Sequence, residues 1–339
     1  MSIVVMEPTG QGAALGTQTH STIKPRPTPP LRIGFWGTRA TFSNTVLTAL
    51  LQTYPIVQVA LPAALPTASA VELLRPPAAL PPNDDLLLLN PAVAPDTLQT
   101  AWQHTIDTYQ LGRLRAPDVG DWLAGLALDV ICVACFPWRI PVALLSVPTY
   151  GFLNVHPALL PQYRGPVPLF WQLRDGVPKV GVTIHWMDGD FDTGTIAAQR
   201  AFALPDGISG ALADHLCAQT GAELLGEVLQ QLLLGFRPCH PQPNNGSYHT
   251  WPTAADFRLS TAWSAQHAYN FMRGTAEWQH PYAVTLGNEE ILLHRALAYE
   301  VGQTLGAPWV RDDATVLIQF QPGVLRAVPD QYDTQALDR

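Results

Sequence analysis

Between Asn154 and Gly194 the chain gathers side chains that can do chemistry. Asn154-Val155-His156-Pro157 stands at one end and Asp190-Phe191-Asp192-Thr193-Gly194 at the other. On a strand, residues i and i+2 point to the same face, so the Asn154 amide and the His156 imidazole project into one space. Pro157 stops the strand just beyond them. The Asp192 turn lies beyond the next strand and can return a carboxylate to that space. An amide N–H can donate to a developing oxyanion, and an imidazole can donate or shuttle a proton. A carboxylate can orient the imidazole and take a proton through water. No Ser or Cys stands beside them as a nucleophile, so the set suits direct transfer of an acyl group to an amine better than a covalent acyl-enzyme. Types and spacing alone leave plainer readings open: a lone histidine is more often structural, and Asp ahead of Gly most often forms a turn.

The elements that must hold these groups read as an α/β sheet. Leu31-Arg32-Ile33-Gly34-Phe35-Trp36-Gly37-Thr38 is a short strand running into a glycine turn. A helix follows, with Val46, Leu47, Leu50 and Leu51 at helical spacing and Ser43 or Asn44 as its cap. Ile56–Leu61 is the next strand, and this strand–turn–helix–strand unit predicts a parallel sheet. The third glycine of a dinucleotide fingerprint is missing, position 40 being Ala40, which argues against a nicotinamide cofactor. Pro62–Pro82 reads as an irregular excursion, Leu86–Leu89 as a buried strand, and Thr97–Tyr109 and Asp118–Leu126 as helices. Asp129–Cys135 is a central strand. It leaves through Phe136–Pro141, at the strand end where open α/β sheets collect ligands, a proline-rich turn over the core being the alternative. Tyr150–His156 is a strand leading to the chemical motif, and Val180–Met187 and Ile196–Ala203 form a hairpin. A long amphipathic helix from about Ser209 to Leu234 ends at Gly235.

Segment His240–Ser247, with two prolines, two asparagines and a glycine, has the composition of a domain boundary. After it come a helix over Ala262–Arg273 and short strands at Ala283–Leu286, Glu290–Ala296, Thr315–Phe320 and Gly323–Val328. The pattern leaves barrel and sandwich open. The expected organisation is a disordered leader over 1–30, an α/β domain over 31–239, a linker over 240–247, a β-rich C-terminal domain over 248–330 and a tail over 331–339.

A chain of 339 residues suits two cores better than one, and 47% hydrophobic with 14% charged residues describes a globular protein. The formal net charge is -8 and only Lys24 and Lys179 are lysines, so binding to a phosphate backbone would need a local basic patch. Cys132-Val133-Ala134-Cys135 has C-x-x-C spacing, but it lies in the apolar run Val130–Phe136, where i and i+3 face opposite ways. Cys217 and Cys239 supply no second ligand pair. Reduced thiols, no stretch long enough to span a bilayer and no secretory signal point to a cytoplasmic protein with no membrane partner. Glu7–Pro30, rich in Pro, Thr, Gly and Gln, reads as disordered.

Taken together, Asn154-Val155-His156-Pro157-Ala158-Leu159-Leu160-Pro161, Tyr163-Arg164-Gly165, Gly181-Val182-Thr183-Ile184-His185 and Asp192-Thr193-Gly194 resemble the folate-dependent formyltransferase family. The likeness extends back to Leu31–Ile33 and Gly37-Thr38 and forward to Gln279-His280-Pro281-Tyr282-Ala283. It implies a mostly parallel, Rossmann-like formyltransferase sheet with a smaller, β-rich and barrel-like C-terminal domain. It implies 10-formyltetrahydrofolate as formyl donor, a primary amine as acceptor and no metal. By resemblance, Asn154 and His156 polarise the formyl oxygen, and Asp192 keeps His156 charged and relays the amine's proton. Trp138, Arg139, Ile140 and Pro141, with Asp190 in the turn before Asp192, receive the pteridine, and Leu160 and Pro161 shape the wall beside the catalytic pair. A zinc site at His156, His185 and Asp192 is the competing account of these side chains.

The acceptor is where the chain departs from its relatives. In domain order it is most like the members that formylate methionyl-tRNA. Those carry a basic loop after the second strand, where this chain has Pro62–Pro82 with Arg75 its one basic residue. Gln162 stands where a basic residue is common before Tyr163-Arg164-Gly165. From His240 onward six basic residues face ten acidic ones, a net charge of −4 that makes a poor clamp for tRNA. The acceptor is therefore methionyl-tRNA or a small amine such as an amino sugar nucleotide. A hydrolase releasing formate from 10-formyltetrahydrofolate and a non-catalytic folate-binding protein are the other readings. Oligomeric state is not written in the pattern.

Overall fold

The computed structural model describes residues 30–64, 67, 69–77 and 96–330. The expected strand Leu86–Leu89, the leader up to residue 29 and the tail over 331–339 lie outside the described residues. Strands β1 (Ile33–Gly37), β2 (Ile56–Pro62), β3 (Val71–Leu74), β4 (Asp107–Leu111), β5 (Val130–Ala134), β6 (Gly151–His156), β7 (Val180–Trp186) and β8 (Ile196–Phe202) form one sheet, ordered β3-β4-β2-β1-β5-β6-β7-β8. The five strands from β4 to β6 run parallel, while β3 at one edge and β7 and β8 at the other are antiparallel to their neighbours.

Helices cover both faces. Helices α1 (Thr41–Leu51), α2 (Thr97–Gln103) and α6 (Gly210–Leu233) close a core on one side with Phe35, Cys132, Val155 and Ile184. Helices α3 (Pro117–Gly125) and α4 (Val142–Leu145) close the other with Trp36, Ile131, Val133 and Phe152. Burial on both faces explains why β1 and β5 read as continuous apolar runs. Helix α6 lies close to the sheet because position 221 has no side chain: a Cβ on Gly221 would sit 2.4 Å from Val155 Cγ1.

A second, antiparallel sheet is built from β9 (Tyr282–Leu286), β10 (Glu289–Glu300), β11 (Trp309–Asp312), β12 (Thr315–Gln319) and β13 (Val324–Pro329), in the order β11-β12-β13-β10-β9. Helix α7 (Ala265–Gly274) covers it, and Phe170 of α5 (Pro168–Asp175) inserts into the same core with Phe257, Phe271 and Tyr282. Among the described residues no helix is long and apolar enough to cross a membrane.

Three expectations need correction. The helix expected over Thr97–Tyr109 stops at Gln103: Thr105 takes a left-handed conformation (φ 56°) and the chain then enters β4 beside β2. Its start is well specified, since Asp96 accepts from Gln99 N at 3.0 Å and Gln99 Oε1 accepts from Asp96 N at 3.1 Å, a reciprocal capping box. Neither Ser43 nor Asn44 caps α1; Ala40 occupies that position. Ser43 instead accepts from Thr38 N at 3.1 Å and donates to Ala134 O at 2.7 Å, tying the glycine turn to the end of β5. The excursion over Pro62–Pro82 contains β3, paired with β4, and β11 is a strand that the pattern did not show. As expected, the C-x-x-C pair is two free thiols, Cys132 buried inside β5 and Cys135 exposed just past its end.

Replacing Gly221 with valine forces α6 off Val155 and should lower unfolding free energy by about 1–3 kcal/mol, the usual cost of overpacking. Chemical denaturation measures this, and a variant as stable as the parent would show that the helix does not rest on the strand as described.

Candidate active site

The site forms where parallel and antiparallel halves of the sheet meet. Asn154 and His156 end β6 on the face shared with Phe152, and β7 pairs antiparallel to it with Asn154 opposite His185 and His156 opposite Thr183. Cross-strand partners share a face, so β7 delivers a second imidazole to the site. His185 Nδ1 lies 3.2 Å from Trp186 O, which places its proton there and leaves Nε2 to accept from Asn154 Nδ2 at 3.1 Å. That bond also fixes which way the Asn154 amide points. The second N–H of the amide faces Asp192 Oδ1 at 3.5 Å, the limit of a hydrogen bond.

Asp192 arrives from the turn between β7 and β8. The Asp188 carboxylate organises that turn, accepting from Asp190 N at 3.2 Å and from Thr193 Oγ1 at 2.6 Å. Asp192 itself is left-handed (φ 57°), which short polar side chains tolerate better than most. Gly194 allows the turn to fold back so tightly that a Cβ there would lie 1.7 Å from Trp186 O. The Asp192 carboxylate is 12% exposed; Oδ2 accepts from Gly165 N at 2.9 Å, and Oδ1 stands 3.5 Å from both His156 Nδ1 and His185 Nε2.

These groups set one another's charge. Burial alone would raise the Asp192 carboxyl; His156, His185 and the Gly165 N–H outweigh it and hold the group well below the usual carboxylate range. For His156, 3% exposed, burial lowers the pKa below its ordinary 6.5 more than Asp192 raises it, and His185 and Arg164 add to the lowering. At His156 desolvation thus outweighs the pull of the Asp192 carboxylate in the ligand-free protein. The Gly165 and Asn154 N–H groups can keep Asp192 ionised without a cationic His156. Neutral His156 carries its proton on Nε2, 2.9 Å from Tyr163 O, so the lone pair of Nδ1 faces Asp192. Among the described residues no group of three His, Cys, Asp or Glu side chains is placed to hold a metal ion, the His156–His185–Asp192 set included.

The residues expected along the donor side fall on two loops that touch. Trp138 packs edge-on against Phe136, Ile140 is buried, and Pro141 precedes α4. Arg139 reaches across to donate to Gly189 O and, at 2.7 Å, to Asp190 Oδ1. Both partners are largely exposed, so this pair contributes at most about 1 kcal/mol and opens at little cost. Leu160 is buried, its N–H on Thr183 Oγ1 at 3.1 Å and its carbonyl accepting from Gln199 at 2.8 Å, while Pro161 is half-buried.

The segment read from composition as a linker is a strap over this site. Gln242 donates to Asp192 O at 2.9 Å and Gly194 O at 2.6 Å, and accepts from Arg164 Nη2 at 2.6 Å. Ser247 Oγ accepts from Tyr163 N at 2.8 Å, and Gln162 donates to Asn245 O at 2.8 Å. Gln242 and Ser247 are the site residues that sequence reasoning did not assign, and His185, named there only as a ligand of the competing zinc site, joins them. Only His185 left a signal, its place in a strand beside Asn154.

Known proteins carry the same arrangement of elements. Residues 88–223 match the family model described as formyl transferase. The chain is 35% identical over 218 residues to methionyl-tRNA formyltransferase of Trichlorobacter lovleyi, covering 63% of this chain and 67% of that protein. It is 33% identical over 213 residues to the enzyme of the same name from Geobacter sulfurreducens, covering 62% and 67%. Among solved structures, an N-formyltransferase from Helicobacter canadensis, in complex with folinic acid and dTDP-3-aminofucose, superposes with a TM-score of 0.61 at 15% identity, over 88% of this chain and 99% of that one. That last likeness is one of fold. With sequence relatives at this identity and coverage, the chain belongs to the folate-dependent formyltransferase family and is a formyl-transfer enzyme.

Proposed function

We propose that the chain transfers the formyl group of 10-formyltetrahydrofolate to the primary amine of methionyl-tRNA, with Asn154, His156 and Asp192 as its catalytic residues. The observation that carries this reading is the buried, ionised Asp192 held against Asn154 and His156 at the end of β6. The donor lies against Trp138–Pro141, Asp190 and the Leu160-Pro161 wall. Apolar Ile140 and Leu160 and the aromatic Trp138 suit a flat ring, and the weakly held Arg139–Asp190 pair can yield to its polar edge. The division into 31–239 and 248–330 belongs to this proposal, supported by two separate cores. So does a cytoplasmic setting, supported by four free cysteines.

The amine nitrogen attacks the formyl carbon, forming a C–N bond while the carbonyl oxygen becomes an oxyanion. The second Asn154 N–H, held by only a 3.5 Å contact, turns to that oxygen. The proton lost by the amine passes to His156 Nδ1, where Asp192 stabilises the imidazolium. That N–H then joins Asn154 as an oxyanion donor. Collapse breaks the bond from carbon to N10 of the folate, and the same proton returns to N10. A neutral resting His156 is what this sequence of steps requires, because a histidine already charged could not accept the proton.

A second reading, an amino sugar nucleotide as acceptor, is favoured by the net charge of −4 from His240 onward. Formylation assayed with charged initiator tRNA and with a panel of amino sugar nucleotides, each at two salt concentrations, decides between them. The tRNA reading predicts a rate that falls with salt; turnover of a sugar nucleotide alone would replace it.

Asn154→Ala should lower kcat by about 10²–10³-fold and Asp192→Asn by about 10²–10⁴-fold, with folate binding retained. Unchanged turnover in either would remove the assignment. In an NMR titration, the His156 midpoint should lie below 6.5 and fall further in Asp192→Asn, since the carboxylate raises it. A midpoint above 6.5 in the free enzyme would contradict the proton path.

A further inference from the structure

The half-buried Gln242 side chain is hydrogen-bonded at both ends of its amide. Nε2 donates to Asp192 O at 2.9 Å and to Gly194 O at 2.6 Å, while Oε1 accepts from Arg164 Nε at 3.2 Å and Nη2 at 2.6 Å. A backbone carbonyl only accepts and a guanidinium only donates, so these partners fix which way the amide points. They also dictate the residue type. A carboxylate could accept from Arg164 but could not donate to the two carbonyls. An ammonium could donate to the carbonyls but would repel Arg164. An amide meets both demands, and Asn is one methylene shorter.

The two carbonyls stand on either side of Thr193, so one side chain grips both ends of the turn from which the Asp192 carboxylate projects. Asp192 is left-handed (φ 57°), and its oxygens rest on the Gly165 N–H at 2.9 Å and on contacts of 3.5 Å to Asn154, His156 and His185. Gly165 follows Arg164, so Gln242 holds the chain on both sides of the Asp192–Gly165 hydrogen bond. The strap is stiff at this point. Pro241 and Pro243 flank Gln242 and restrict its backbone. His240 exchanges two backbone hydrogen bonds of 2.8 Å with Ile196, and Ser247 O accepts from Arg164 N at 3.1 Å. Gly246 lets the strap lie against the loop, since a Cβ there would sit 2.5 Å from Pro161 O.

We propose that Gln242 is a positioning residue for formyl transfer: it holds the Asp192 turn and the Arg164-Gly165 loop at the separation that aims the carboxylate at Asn154 and His156. This rests on the catalytic reading above and extends it to a strap residue that acts through Asp192 and not on the reacting atoms.

The test uses the full chain and reads positioning apart from turnover. Gln242→Met, similar in length but without the amide, should lower kcat about 10–100-fold and leave KM for the folate unchanged. Gln242→Glu keeps the acceptor for Arg164 and loses both donors, so its kcat should fall as far. In an NMR titration of the free enzyme, the His156 midpoint should fall in Gln242→Met, in the same direction as in Asp192→Asn, because a displaced carboxylate no longer raises it. A staple that served stability alone would leave that midpoint where it is in the parent. Parental kcat in Gln242→Met, an unmoved His156 midpoint, or full activity in Gln242→Glu would overturn the proposal, the last by showing that the tether to Arg164 suffices. Turnover that survives Asp192→Asn would instead defeat the catalytic reading, and the titration, which needs no turnover, would still decide whether Gln242 places the carboxylate.

Discussion

The structure turns on one buried carboxylate. Asp192 lies beneath the surface with no Lys or Arg ion pair among the described residues, and the N–H groups of Gly165 and Asn154 face its two oxygens and favour the ionised form. An uncompensated buried charge costs several kcal/mol, so the elements that supply those partners are constrained together. β6 must end with Asn154, β7 must run antiparallel to bring His185 opposite, and the turn at Tyr163–Gly165 must present one backbone N–H. Burial lowers the His156 pKa while the Asp192 carboxylate raises it, so the arrangement that preserves the charge also suits His156 to the proposed proton transfer.

The strap from His240 to Ser247 extends this constraint to the second half of the chain. Gln242 holds the backbone on both sides of Thr193 and reaches Arg164, so it joins the carboxylate turn to the loop that donates Gly165 N. Next to it, Trp171 Nε1 donates to Thr250 O at 3.0 Å, and Phe170 sits in the C-terminal core. Movement of the β9–β13 unit would therefore reach the active site through hydrogen bonds, without crossing an apolar core.

Much of the parallel sheet was legible, because strands buried on both faces appear as uninterrupted apolar runs and their helices carry strong periodicity. The pairing of Asn154 with His156 followed from the two-residue repeat of a strand. What stayed hidden depended on register and on single backbone angles. His185 was grouped with His156 and Asp192 only as a metal ligand; its place opposite Asn154 comes from antiparallel pairing across a connection longer than twenty residues, which local pattern does not encode. Helix α2 ends at Gln103, just before a left-handed turn at Thr105 without the glycine or asparagine that usually marks one, so the helical period ran on into β4. The strap looked like a linker because Pro, Asn and Gly bury little apolar surface; its work is done by hydrogen bonds, which leave no periodic trace.

The central claim is direct passage of one formyl group from donor to amine with no water in between. Following a donor labelled with ¹³C in its formyl group by NMR tests it. The account predicts that the donor signal is replaced mole for mole by a formamide signal on the acceptor, with no formate and no donor loss when the acceptor is omitted. Free ¹³C-formate appearing at the rate of donor consumption, with or without acceptor, would contradict it and make water the acceptor at Asn154, His156 and Asp192.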